Sequence, residues 1–215
     1  MGSDWWWELE VPAARPETAL RRTYQLAAQH DLRPRRYDGL ITIIDDEGDQ
    51  VTVGDFDAAM AAMAAGAASQ WWTKNNDDVF VRLKDGRLSW SMPTFGPHGR
   101  LTALWLDVAR FLDARLGRVL DEWSSEQVWD LHDATHPTAG NWPAELGWLT
   151  YAGPSIHPSA PPLPEVAART RVLSNGARLV TLLDDPASVD PLHYEQLHRR
   201  WLNLPGEHLR PEQAR

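Results

Sequence analysis

The hydrophobic pattern of residues 78–131 changes its period once, and this change constrains the fold more than any other feature of the chain. Between residues 79 and 92, apolar side chains occupy every second position on both sides of a Lys-Asp-Gly-Arg turn, which is typical of a half-buried β-hairpin. From residue 101 to 123 the apolar positions recur every three or four residues, which predicts a long amphipathic helix. Neither element can bury its apolar side alone, so we expect this helix to pack on the sheet.

The rest of the chain mixes the same two patterns. Runs of β-branched and aromatic residues predict strands at residues 5–11, 37–45, 50–53, 146–152, 169–174 and 177–183. Helical spacing predicts helices at residues 16–30, from an N-cap at Asp55 onward, and at residues 190–203. Asn175-Gly176 predicts a type I′ turn in the last hairpin. The predicted fold class is α+β, a mainly antiparallel sheet covered by amphipathic helices.

The domain organisation follows from the size of the last unit. Residues 153–164 contain five prolines and are predicted to run along the surface, before a C-terminal hairpin-helix unit at residues 165–203. About forty residues rarely fold alone without disulfides or metal, so this unit is expected to dock on the main sheet. We therefore predict a single composite α+β domain over residues 1–215, with residues 204–215 as a frayed tail.

Charge and composition restrict the possible partners. The formal net charge is −9, and only Lys74 and Lys84 are lysines, so we expect no nucleic-acid partner, because non-specific affinity for nucleic acids comes largely from neutralised phosphates. The chain has no cysteine, which excludes disulfides and thiolate chemistry. No leader-like segment and no apolar run of about 20 residues is seen, so we expect no membrane partner and a cytoplasmic location.

Candidate chemical sites are few. His132, Asp133 and His136 have the four-residue histidine spacing of a helical metal site, but Pro137 follows at once, and a frayed helix end explains the same residues. No nucleophile motif, phosphate loop or dinucleotide fingerprint is present. We assign no catalytic residue and no cofactor, and a non-enzymatic protein is the favoured reading.

Aromatic residues are the best candidates for binding. The chain has twelve tryptophans, several of them adjacent, and alternation along a strand must send one of each adjacent pair away from the shared core. Tryptophan is enriched at binding hot spots, and acidic neighbours would suit a basic partner. The candidate binding residues are Trp71, Trp72, Trp142, Trp148, Tyr151, Asp184 and Asp185. The alternative is that these rings form a second apolar layer.

The C-terminal third carries a family resemblance. The sequence Gly-Trp-Leu-Thr-Tyr at residues 147–151, then Arg-Val-Leu at 171–173 and the run from Gly176 to Asp185, resembles immunity proteins of bacterial polymorphic toxin systems. This resemblance implies a non-enzymatic α+β protein that binds and occludes a cognate toxin. Two alternatives remain open: a small hydrolase-like enzyme with an unrecognised His/carboxylate site, and a regulatory or scaffold subunit. The sequence leaves the oligomeric state open.

Overall fold

The protein folds around a large antiparallel sheet. The structure, a computed structural model, describes residues 4–12, 16–93, 98–122, 125, 142, 145–156, 169–182 and 191–202. The strands are β1 (Asp4–Glu10), β2 (Leu32–Arg33), β3 (Ile41–Ile44), β4 (Gln50–Val53), β5 (Ala68–Thr73), β6 (Asp78–Lys84), β7 (Arg87–Pro93), β8 (Leu116–Asp121), β9 (Leu149–Ala152), β10 (Arg169–Val172) and β11 (Arg178–Thr181). The α-helices are α1 (Pro16–Ala27), α2 (Phe56–Ala64), α3 (His98–Phe111) and α4 (Pro191–Trp201), and a 3-10 turn at Ala28–His30 extends α1.

The first strand lies in the middle of the sheet. The strand order is β10-β11-β9-β8-β1-β7-β6-β5-β3-β4, and β2 pairs with β5 beside β3. Every pairing is antiparallel, which agrees with the predicted α+β class. Because β1 pairs with β7 on one side and β8 on the other, it joins the N-terminal strands to the C-terminal ones. The hairpin of β10 and β11 extends this same sheet through β9.

The predicted β-hairpin of residues 79–92 is confirmed. Its inward residues alternate as expected, and all six are buried: Val79, Val81, Leu83, Leu88, Trp90 and Met92. The turn places Asp85 at φ 52° and Gly86 at φ 74°. Positive φ at both central residues is the signature of a type I′ turn, whose twist matches that of the paired strands.

The predicted helix of residues 101–123 is wrong in its second half. Helix α3 ends at Phe111, and residues 116–121 form strand β8. The helix stops because Asp113 adopts φ 48° and the Ala114 N–H donates to the Ala109 carbonyl, the bonding pattern of a Schellman C-cap. Strand β8 is buried on both sides, so its apolar residues do not alternate, and a short run of this kind fits a helical period equally well.

The last hairpin turn also differs from the prediction. Gly176 has φ +82°, but Asn175 does not have a positive φ, so the turn is not type I′. Leu173 and Ala177 close a three-residue loop instead, with the glycine in the left-handed position. Loops of the same bonding pattern close at Gly48 and Asn76, where φ is 88° and 67°. The sequence Asn-Gly therefore marks the hairpin correctly but does not select its loop length.

Helices α1, α2 and α3 contact one face of the sheet. The Trp7 indole N–H donates to Thr102 of α3 at 2.9 Å, and the Trp105 N–H of α3 donates to the Glu8 carbonyl of β1 at 2.8 Å. Tyr24 of α1 lies edge-on to Trp71 of β5, with 6.3 Å between ring centroids. The core therefore lies between these helices and the alternate residues of β1, β5, β6 and β7 that include Trp7, Trp71 and Trp90. Helix α2 begins at the predicted N-cap, since the Asp55 carboxylate accepts from the Asp57 N–H at 2.9 Å.

Helix α4 is attached to the segment before β9. The Tyr194 hydroxyl donates to the Leu146 carbonyl at 2.6 Å. The Leu146 N–H donates to His198 Nε2 at 2.9 Å, while Nδ1 of the same ring bonds the Tyr194 carbonyl at 2.7 Å. Both side chains are fully buried, and burial raises the pKa of the Tyr194 hydroxyl well above its usual value. These hydrogen bonds satisfy the backbone N–H and C=O of Leu146, which lies in a segment without regular secondary structure.

Candidate functional site

Most of the predicted binding residues are core residues. Trp71, Trp142, Trp148 and Tyr151 are all buried, and each ring contacts another aromatic ring. Trp148 lies 4.7 Å from Trp5, measured between ring centroids. The alternative of a second apolar layer therefore describes these four side chains. The other candidate sites, Asp184, Asp185, His132, Asp133 and His136, lie outside the described residues.

Among the predicted binding residues that the structure describes, Trp72 is the one that is half-buried and not buried. It directly follows Trp71 in β5, so alternation directs the two side chains to opposite faces of the sheet. Trp71 enters the core, and Trp72 lies on the other side, where it is half-buried. The rule that one member of each adjacent pair must leave the core thus holds at this pair.

The face that carries Trp72 is open over four strands. We call it the open face, and it consists of the alternate residues of β1, β5, β6 and β7 that point away from α1–α3. Its described members are Asp4, Trp6, Glu8, Glu10, Ala68, Gln70, Trp72, Asp78, Phe80, Arg82, Lys84, Arg87, Ser89 and Ser91. Each of these residues is half-buried or exposed. The same strands are therefore closed on one side and accessible on the other.

Three aromatic rings lie on the open face. The register aligns Trp6, Ser91, Phe80 and Gln70 in one row across four neighbouring strands. Since adjacent strands are about 4.8 Å apart, Trp6 and Phe80 are separated by roughly 10 Å. Trp72 is two residues from Gln70 and is the diagonal neighbour of Phe80. Phe80 is 37% exposed, which is unusual for a phenylalanine in a central strand.

Most of the charged residues on the open face form ion pairs. Glu8 accepts from Arg118 at 3.1 Å and lies 3.8 Å from Arg87. Asp46, at the β3–β4 turn, forms ion pairs with both Arg82 and Lys84. These ion pairs all lie on one side of the aromatic row. Such a face presents apolar area without a large field of its own.

A cleft lined by arginine adjoins the open face at Trp72. It has a volume of about 430 Å³ and is lined by Arg33, Arg35, Arg36, Tyr37, Trp72 and Asn76. We call it the arginine cleft. Arg33 lies directly across from Trp72, because β2 pairs with β5 at this position. Tyr37 is 95% exposed at the tip of the loop that follows β2. The cleft is therefore assembled from two segments about forty residues apart in the chain.

Neutral acceptors hold two of the three guanidinium groups. Arg33 donates to the Thr73 carbonyl at 3.2 Å and to the Asn76 side-chain oxygen at 2.6 Å. Arg35 donates to the carbonyl oxygens of Gly39 and Gly54. Arg36 differs, since it forms an ion pair with Asp38 at 3.2 Å. The cleft thus concentrates positive charge in a chain whose formal net charge is −9.

A partly buried ionic cluster lies near helix α4 but does not form an accessible site. Arg118 bridges Glu8 and Glu145 at 3.1 Å each, and Glu145 also accepts from the Ser125 hydroxyl at 2.9 Å. The hollow beside Glu8 and Arg118 has a volume of about 10 Å³, which holds no more than one water molecule. This cluster therefore satisfies buried charge and leaves no room for a substrate.

Comparison with known proteins adds no assignment. No protein-family model matches the chain, and a search of curated proteins returns no match. Among the side chains that the structure describes, no three His, Asp or Glu residues gather closely enough to hold a metal ion. None of the described helices has the length and apolar character needed to cross a membrane. The open face and the arginine cleft thus define the candidate site by geometry alone.

Sequence reasoning missed most residues of the arginine cleft. The run Arg33-Pro34-Arg35-Arg36 is visible as the dense basic stretch of the chain, and that is the signal that could have identified it. The sequence did not reveal that Trp72 and Asn76 lie beside this run in the folded protein. That proximity requires the pairing of β2 with β5, which is a long-range contact.

Proposed function

We propose that this chain is a non-enzymatic binding protein of the immunity type, which occludes a cognate protein partner with its open face. The observation that carries the proposal is the set of three accessible aromatic side chains, Trp6, Phe80 and Trp72, on one charge-balanced sheet face. The family resemblance of residues 147–185 supports the same function. Catalysis is not part of the proposal.

The energetic reason is the cost of leaving these rings in water. Aromatic residues on an interface bury large apolar areas at a low entropic cost, and a few such residues dominate the affinity of most complexes. Trp72 and Phe80 are diagonal neighbours on adjacent strands, so one partner surface can cover both. A sheet face needs little rearrangement on binding because its backbone is held by strand pairing on both sides.

The charge of the chain favours a basic partner. Acidic residues exceed basic ones, 30 against 21, and four of them, Asp45, Asp46, Glu47 and Asp49, lie in or beside the β3–β4 turn. Long-range attraction of this kind raises the association rate more than the affinity. From the sequence alone, Asp184 and Asp185 are proposed to add to this negative charge. A toxin with a basic cleft is the partner class that the resemblance and the charge both indicate.

The test uses the product of the gene adjacent to the one that encodes this chain. That product is expressed in a naive bacterial host, alone and together with the chain, and growth is followed. We expect growth arrest with the product alone and relief when the chain is present. Phe80→Ser and Trp72→Ala are each expected to weaken complex formation, measured by calorimetry, by about 30-fold, which corresponds to roughly 2 kcal/mol.

The control is Phe111→Ser. Phe111 is also an exposed phenylalanine, 52% accessible, but it lies at the end of α3, where it contacts the Arg22 guanidinium at 4.2 Å. Its replacement should leave the affinity within about twofold of the wild-type value. If the adjacent gene product does not arrest growth, or if the chain does not relieve the arrest, the proposed function is contradicted. Equal losses for Phe80→Ser and Phe111→Ser would contradict the role of the open face.

A further inference from the structure

We propose that the arginine cleft binds a mononucleotide, a phosphate monoester carried by a flat heterocyclic base. The inference goes beyond the proposed function, because it assigns a small-molecule site to a cleft that shares only Trp72 with the open face. Three guanidinium groups, two aromatic rings and one amide side chain line the cleft. Guanidinium groups recognise phosphate oxygens, and aromatic rings stack on bases.

The hydrogen-bond partners of the arginines leave positive charge in the cleft. Arg33 and Arg35 bond carbonyl and amide oxygens, and within the described residues neither forms an ion pair with a carboxylate. Their side chains are thereby held in place while their charge remains uncompensated. A guanidinium that is already oriented loses less side-chain entropy when it bonds an anion. Arg36 contributes less, since Asp38 balances it.

Two aromatic rings in the cleft are placed to stack on a base. Trp72 and Tyr37 both line the cleft, and Tyr37 is almost fully exposed, so its ring can cover a ligand without leaving a packed position. Asn76 offers an amide beside them, and its left-handed conformation, φ 67°, sets its place in the β5–β6 loop. Its side-chain oxygen accepts from Arg33, and its NH2 group can donate to the edge of a base. The aromatic rings of the cleft match the base of a mononucleotide, and the arginines match its phosphate.

The size of the cleft selects a small ligand over a polymer. A volume of about 430 Å³ lies within the range of pockets that enclose small molecules. A nucleic-acid chain needs an extended series of phosphate contacts, and the net charge of −9 opposes its approach. A simple carboxylate would satisfy the arginines but would leave both rings without a stacking partner. The mononucleotide is the ligand class that uses every group in the cleft.

The experiment is a calorimetric titration of the full chain at low salt with AMP, GMP, CMP and UMP. We expect saturable 1:1 binding of at least one of them, with adenosine and inorganic phosphate each about tenfold weaker or more, because each retains half of the contacts. Arg35→Gln and Tyr37→Ala are each expected to weaken nucleotide binding by about tenfold. Neither residue belongs to the open face, so protein-partner binding should survive both changes.

The matched control is Arg171→Gln, which removes an exposed arginine from edge strand β10. Its affinity for the nucleotide should equal that of the wild type within about twofold. Three results would overturn the proposal. They are the lack of saturable binding for all four nucleotides up to about 10 mM, inorganic phosphate binding as tightly as the nucleotide, and equal losses in Arg171→Gln and Arg35→Gln. Growth relief by the chain in the first of these cases would leave the proposed function intact.

Discussion

The two faces of the same four strands differ completely in their environment. In the β6–β7 hairpin, Val81 lies across from Trp90 on the core face, and both are fully buried. One position along, Phe80 lies across from Ser91 on the open face, and both are accessible. The same backbone hydrogen bonds between the strands support both faces. The comparison teaches that the residues of one hairpin divide into those that hold the fold and those that are available for binding.

Removal of a core ring should have the largest effect. Trp90→Ala deletes a fully buried indole from the centre of the core and leaves a cavity, so we expect a loss of about 3–5 kcal/mol in the free energy of unfolding. Phe80→Ala, from the other face of the same hairpin, should cost no more than about 1 kcal/mol. Urea denaturation followed by tryptophan fluorescence measures both. Similar losses for the two variants would break the comparison between the faces.

A smaller loss of stability is expected from a change at Gly117 of β8, which packs against the core. A Cβ added at Gly117 would lie 2.6 Å from the Leu9 side chain and 2.7 Å from the Trp105 ring. Gly117→Ala should therefore destabilise the protein by about 1–3 kcal/mol through overpacking.

The matched control for this change is Gly99→Ala in the first turn of α3. No heavy atom lies within 4 Å of a Cβ added there. Alanine is the better helix former, so this variant should be neutral or more stable by up to about 1 kcal/mol. Thermal unfolding of the pair gives the comparison directly. A stable Gly117→Ala variant would show that the helices do not press on the sheet at β8.

The smallest effect concerns two tyrosines, one buried and one exposed. Tyr194→Phe removes the hydroxyl that donates to the Leu146 carbonyl and should cost about 1 kcal/mol at neutral pH. Tyr37→Phe should cost nothing measurable, because Tyr37 is 95% exposed. Denaturant midpoints at pH 7 test this pair.

The pH dependence of stability should also distinguish Tyr194 from Tyr37. Burial raises the pKa of Tyr194 well above its usual value of 10.0, so the folded state retains the proton more strongly than the unfolded state. The contribution of this group to stability is complete below pH 10.0 and is lost as the pH rises from there toward the folded pKa. Tyr194→Phe should therefore flatten the alkaline decline in stability, and Tyr37→Phe should not. The same decline in both variants would contradict the buried position of the Tyr194 hydroxyl.

Local patterns predicted the elements better than they predicted the site. Alternation identified the hairpin of residues 79–92, and helical spacing with a plausible cap identified α1 and α2. The helix predicted over residues 101–123 was wrong beyond Phe111, because an aspartate, and not a glycine, takes the left-handed position that ends it. The choice between surface anchors and a second apolar layer for Trp142, Trp148 and Tyr151, which the sequence left open, required knowledge of what packs above them. A sequence pattern does not contain that information.

The sequence by itself determined that adjacent tryptophans must separate, and Trp71 and Trp72 do so, because side chains alternate along every strand. It also determined the excess of negative charge and the place of the basic run. Only the tertiary structure decided that β1 lies at the centre of the sheet, which of its faces the helices contact, and that Arg33 meets Trp72. The physical reason is that periodicity is a property of neighbouring residues, whereas strand order and the arginine cleft depend on contacts between segments distant in the chain.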